Sequence, residues 1–181
     1  MPVFIHQALL LLVLAGTIAA AFCDVRSGLI PNRLVFGMTA LGLALRAAAA
    51  APRGLSPLYE TFLTSLFGAL VCGALPLALY LQRSLGGGDV KLLIACGVCL
   101  GPMVGFEIQL FGYGFGLVYA LGRLIHEGTL WKTLGELRWI ARRPSDGAGD
   151  ERPAQPARML CFAPPLAGAA LAVTLSYWSW A

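Results

Sequence analysis

Apolar runs long enough to cross a bilayer recur along the whole of this chain, and they leave few ways for it to fold. Residues 3–22, 34–50, 61–81, 103–124 and 159–180 are such runs, and a shorter one covers about 90–100. About 20 apolar residues in a helix span the ~30 Å hydrocarbon core of a membrane. The 181 residues are 58% hydrophobic and 12% charged, against roughly a quarter charged in soluble domains. The expected fold is therefore all-α and polytopic: a single domain over residues 1–181, built as a bundle of about six transmembrane helices. The first run ends at Ala19-Ala20-Ala21, small residues of the kind found at leader cleavage sites. It lacks a basic segment ahead of it and several spans follow, so it is read as a retained helix.

The charges sit in the connections. Of the thirteen Lys and Arg, eleven fall in the first, third and fifth: Arg26 and Arg33; Arg83 and Lys91; and Arg123, Lys132, Arg138, Arg142, Arg143, Arg152 and Arg158. The second connection holds Arg46 and Arg53, and the fourth holds none. Basic loops stay on the cytoplasmic side, which puts those three connections inside and both termini outside. The net charge of +4 is thus placed at helix ends, where it meets anionic headgroups. Membrane lipid is an expected partner; nucleic acid is not.

Two aspartates emerge on the same face in this scheme. Asp24 follows the first run and precedes Ile30-Pro31-Asn32, while Asp89 stands in Gly86-Gly87-Gly88-Asp89-Val90-Lys91. An ionisable group at the edge of a span is costly and by default marks a functional site with a partner. Asp24 is expected in a polar connection over 24–33, where Gly28 permits a turn and Pro31 disfavours helix at Ile30. Asp89 is expected in the first turn of the fourth helix, where the dipole and free N–H groups favour an anion. Glycine before it allows tight packing or positive φ, so that peptide groups can approach a substrate. Lys91 need not face Asp89 and is read as a headgroup anchor.

Two carboxyls brought within a few ångströms do not both ionise readily; they titrate as a coupled pair. Such a pair can hold a water between its members. The ionised one takes a proton from the water, and the protonated one hydrogen-bonds the scissile carbonyl. Neither a metal nor a covalent intermediate is needed, and no cofactor is expected. Each feature alone has a simpler account: an interfacial Asp24, a helix-capping Asp89, a glycine loop. Their occurrence together is what points to catalysis.

The remaining features fit a membrane bundle. Five cysteines, an odd count lying mostly within apolar runs, do not form a disulfide framework. Cys96 and Cys99 form a C-x-x-C without a second pair or a histidine cluster and are read as small buried hydrophobes. Gly112 and Gly116 form a G-x-x-x-G that allows close helix approach. Glycine-rich faces serve packing within and between chains alike, which leaves oligomeric state open. Glu107, His6 and His126 are read as isolated. Residues 126–158 are expected to form a cytoplasmic interfacial helix, with Leu130, Leu134, Leu137 and Ala141 on one face, followed by a flexible linker.

Asp24-x5-Ile30-Pro31-Asn32 followed by Gly86-x-Gly88-Asp89-x-Lys91 resembles the two motifs of the prepilin peptidases, which are GxGD membrane aspartic proteases. Phe162-Ala163-Pro164-Pro165-Leu166-Ala167-Gly168 is similar to the start of that family's last helix. The resemblance implies an aspartic endopeptidase that removes the leader of prepilin or pseudopilin precursors at the cytoplasmic side of the bacterial inner membrane. It assigns catalysis to Asp24 and Asp89, with Gly86, Gly88, Lys91, Pro31 and Asn32 as supporting motif residues. Longer relatives carry a cytoplasmic domain with paired C-x-x-C motifs, associated with methyltransferase activity. The short connection after Asp24 leaves no place for it, which resembles the short type found with tight-adherence (Flp) pili. A proton-coupled transporter and a non-catalytic pilus or secretion assembly subunit are the alternative readings.

Overall fold

The computed structural model describes residues 3–82, 84–126, 128 and 162–178. Six α-helices lie among them: α1 (Val3–Ser27), α2 (Asn32–Ala50), α3 (Leu55–Leu81), α4 (Gly87–Leu100), α5 (Pro102–His126) and α6 (Ala163–Trp178). The described residues form no strand. Segments Phe4–Ser27, Asn32–Arg53, Leu55–Leu81 and Pro102–Arg123 are long and apolar enough to cross a membrane, so the chain is a multi-pass membrane protein. It falls into two compact units, Met1–Gly116 with Cys161–Ala181, and Leu117–Leu160. The expected interfacial helix and linker at 126–158 lie almost wholly outside the described residues.

Helix α4 is the centre of the first unit. It has only 14 residues, yet Asp89, Val90, Leu92, Leu93, Ala95, Cys96, Gly97, Cys99 and Leu100 are all buried. It touches α1, α2 and α3. Its apolar side chains join Leu9, Leu10 and Val13 of α1, Val35 and Met38 of α2, Ile108 of α5, and Leu166, Ala169 and Val173 of α6 in one core.

Small residues let the backbones come this close. A Cβ on Gly68 of α3 would overlap the Gly97 carbonyl of α4, and one on Gly97 would overlap the Gly68 carbonyl. Gly105 of α5 reaches the same point, where a Cβ would stand 2.9 Å from the Gly97 Cα. Side chains there would hold the helices apart, and in lipid it is such close contact that drives helix association. The G-x-x-x-G reading holds as well, because Gly112 and Gly116 face Leu166 and Phe162 at the start of α6. Cys72, Cys96 and Cys99 are buried and free, as expected of small core residues.

One boundary differs from expectation in a way that matters. The helix of the first run does not stop near Phe22; it continues to Ser27 and carries Asp24 within it. Nothing between Phe22 and Ser27 breaks a helix, and the stop comes at Gly28, whose φ of 65° suits glycine at a helix end. The Gly28 N–H donates to the Asp24 carbonyl at 2.8 Å, and Ser27 Oγ donates to the Cys23 carbonyl at 2.8 Å.

Candidate active site

The end of α1, the start of α2 and the first turn of α4 converge on the two aspartates. Asp24 is 9% exposed and Asp89 is 8% exposed. Asp89 lies within electrostatic reach of Asp24, so the fold brings together two carboxyls that are 65 positions apart in sequence. Asp89 Oδ1 is buried and accepts no hydrogen bond among the described residues. Buried polar atoms are ordinarily satisfied, and an exception calls for a reason.

The three glycines act by giving room. Gly86 caps α4 with an ordinary φ of −72°, and neither Gly87 nor Gly88 has positive φ. The alternative that they serve special backbone angles is therefore set aside. A Cβ on Gly86 would come 3.1 Å from Asp89 Oδ2, which curls back over it. On Gly87 it would meet the Tyr80 ring at 3.3 Å, and on Gly88 it would stand 3.1 Å from Ile30 Cβ. Asp89 occupies the first turn of α4, as its place after the glycines predicts.

The second motif is tied to the first by direct contact. Ile30 leans on Gly88. Pro31, at φ −64° and ψ 129°, caps α2, and the Leu34 N–H donates to its carbonyl at 3.1 Å. Asn32 begins α2, and Lys91 Nζ donates to its Oδ1 at 3.0 Å. Lys91 is thus a clasp between α4 and α2. The ammonium remains exposed, and the contact with Asn32 is one the headgroup-anchor reading did not include.

Two further polar residues belong to this region and were not singled out from sequence. Tyr113 of α5 is within electrostatic reach of Asp89. Its hydroxyl accepts from Gln109 Nε2 at 3.1 Å, and its ring lies 5.4 Å from that of Phe162. Gln109 is fully buried, and its Oε1 finds no donor among the described residues. The available signal was a glutamine and a tyrosine four positions apart in an apolar run, which is one helix face.

Glu107 of α5 and His6 of α1 are not isolated as the sequence suggests. Tyr177 Oη donates to Glu107 Oε2 at 3.0 Å, and its ring meets the His6 ring edge-on at 5.6 Å. Separation along the chain hid this group, since His6 and Tyr177 lie on the first and last helices. His126 ends α5.

No curated protein and no solved structure matches the chain. The type IV leader peptidase family matches residues 11–121, which hold Asp24, the Ile-Pro-Asn segment, the glycine–aspartate segment, Gln109 and Tyr113. With a match over more than half its length, this multi-pass chain belongs to the type IV leader peptidase family.

Proposed function

We propose that the chain is an aspartic-type endopeptidase that removes the leader from prepilin-type precursors, with Asp24 and Asp89 as its catalytic pair. The observation that carries this is two buried carboxyls from separate helices within electrostatic reach, one with an oxygen accepting no hydrogen bond among the described residues. In an enclosed site such a pair shares a proton. The ionised member takes a proton from water as the water oxygen attacks the scissile carbonyl carbon. The protonated member donates a hydrogen bond to the carbonyl oxygen, where negative charge develops. Collapse of the tetrahedral species breaks the C–N bond, and the departing nitrogen takes up a proton from the pair. Gly86, Gly88, Pro31, Asn32 and Lys91 hold the two carboxyls in register, and Gln109 with Tyr113 adds polar groups on the α5 side.

The finer assignments are proposals of the same reading. The six helices cross the bacterial inner membrane as one peptidase domain, both termini lie outside, and the pair opens to the cytoplasm. The substrates are small Flp-like prepilins, and there is no methyltransferase activity. The charge distribution and the short connection between α1 and α2 support these.

Co-expression of a Flp-type prepilin with the wild-type, Asp24→Asn and Asp89→Asn forms tests the core of it. The expected result is a leader-sized mobility shift with wild type and none with either variant. Normal processing by either variant would sink the two-aspartate mechanism. Cleavage intact but fibres absent would favour the assembly-subunit reading.

A further inference from the structure

Arg46 is a buried cation well away from the aspartates. It is 6% exposed and lies fourteen residues beyond Asn32 on α2, about 21 Å of helix rise. Nη1 donates to the Cys99 carbonyl at 3.1 Å, and Nη2 donates to Thr64 Oγ1 at 2.8 Å. Both acceptors are neutral. Among the described residues Nε is buried with no hydrogen-bond partner, and Cys99 is the one titratable group that acts on Arg46. The Cys99 carbonyl belongs to the last turn of α4, whose dipole offsets part of the charge. The rest is unanswered, and an enclosed charge in a membrane protein calls for a partner.

Arg46 lines a cavity of about 230 Å³ whose other polar residues are Arg53, Glu60, Thr61 and Thr64. Two guanidiniums against one carboxylate leave an excess of positive charge. Thr61 also lines a second cavity of about 540 Å³, otherwise formed by apolar or aromatic side chains that include Leu43, Ala47, Leu58 and Phe62. Leu55, Tyr59 and Phe62 on this side of α3 are more than half exposed. A cationic recess adjoining an apolar one suits a molecule with an anionic head and a hydrocarbon chain. Guanidinium groups match phosphate in geometry as well as charge.

We propose that α2 and α3 form a binding site for an anionic phospholipid of the surrounding bilayer. Its phosphate sits on Arg46 and Arg53 with the Thr61 hydroxyl, and one acyl chain lies along Leu43, Ala47, Leu58 and Phe62. The Thr64 hydroxyl, which donates to the Thr61 carbonyl at 2.9 Å, holds the Arg46 guanidinium in place. The site explains why one arginine is buried near the end of α2 and a second follows it at Arg53, on the side that the charge pattern places outside. It also ties a lipid to the end of α4 opposite Asp89, because the guanidinium that meets the phosphate holds the Cys99 carbonyl.

The test needs no peptidase activity. The full-length protein in mild detergent is titrated with phosphatidylglycerol, phosphatidylethanolamine or phosphatidylcholine of equal chain length, and adducts are counted by native mass spectrometry. One phosphatidylglycerol is expected to be held about tenfold more tightly than either zwitterionic lipid, and about tenfold more weakly by Arg46→Gln. Should Arg46→Gln fail to fold, Arg53→Gln and Phe62→Gln alter exposed positions, and each is expected to weaken retention about three- to tenfold. Millimolar glycerol phosphate is expected to leave the adduct in place, because the acyl chain supplies part of the binding. Equal retention of all three lipids, or retention unchanged in both Arg53→Gln and Phe62→Gln, overturns the proposal. Displacement by glycerol phosphate also overturns it and makes the cavity a site for a soluble phosphate.

Discussion

Helices α3 and α4 lie side by side and meet glycine to glycine, yet they are built on opposite rules. The 27 residues of α3 bury only Ser65, Gly68, Cys72, Gly73 and Pro76. Its large side chains turn outward, with Phe62, Leu66, Phe67 and Leu70 each at least half exposed. Helix α4 is about half as long and buries nine of its 14 residues. One helix turns its large side chains outward and offers its small residues to the protein; the other is enclosed by protein along most of its length. The difference teaches where chemistry can be placed. A carboxyl on α4 is shielded, positioned by three neighbours and given an opposite number on α1. An acid on α3, such as the exposed Glu60, has no such enclosure.

Substitutions can break this contrast or sharpen it. The largest effect is expected at the start of α4: Asp89→Asn lowers leader cleavage by at least about 10²-fold, whereas Glu60→Gln on α3 leaves the rate within about twofold. A timed gel assay of prepilin processing reads both, and the reverse pattern would move the chemistry off α4. Next comes Gly88→Val, which drives a side chain into Ile30 and shifts the α2 start relative to Asp89. A displacement near 1 Å costs up to about 10²-fold, so the same assay should fall by ten- to a hundredfold with little change in folded yield.

Stability follows. Gly97→Leu forces the α3 backbone away and is expected to destabilise by about 1–3 kcal/mol, seen as a lower thermal midpoint in detergent. Leu70→Ala on the outward face of α3 should stay within about 0.5 kcal/mol; equal losses from the two would erase the distinction. The smallest effect expected at the site belongs to Lys91→Ala, which removes one exposed hydrogen bond to Asn32 worth about 0.5–1.5 kcal/mol. A two- to tenfold drop in cleavage, restored in part by Lys91→Arg, is the expected outcome.

The helix content and the two aspartate segments were legible in the sequence because each has a local cause. Long apolar runs need no tertiary partner to declare themselves, and Gly86-Gly87-Gly88-Asp89 is conspicuous between two of them. What escaped was set by packing across the chain. Periodicity does not reveal that Gly88 makes room for Ile30, that Lys91 reaches Asn32, or that His6, Glu107 and Tyr177 form one group. In the sequence Arg46 reads only as a loop charge, because its burial depends on α3 and α4 closing over it. The end of α1 is hidden for a plainer reason: Asp24 and Arg26 look like a connection, but charge alone does not stop a helix that has no breaker before Gly28.

That boundary has a bearing on how the chain can vary in length. With Asp24 inside α1, its direction is fixed by every residue between the core contacts at Leu9, Leu10 and Val13 and itself. One residue inserted or deleted in that interval turns the carboxyl about 100° around the helix axis, away from Asp89, without altering any side chain at the site. The same change between Gly28 and Ile30 falls beyond the helix and spares the aspartate's bearing. The length of α1 before Asp24 is therefore locked as tightly as the identity of the aspartate.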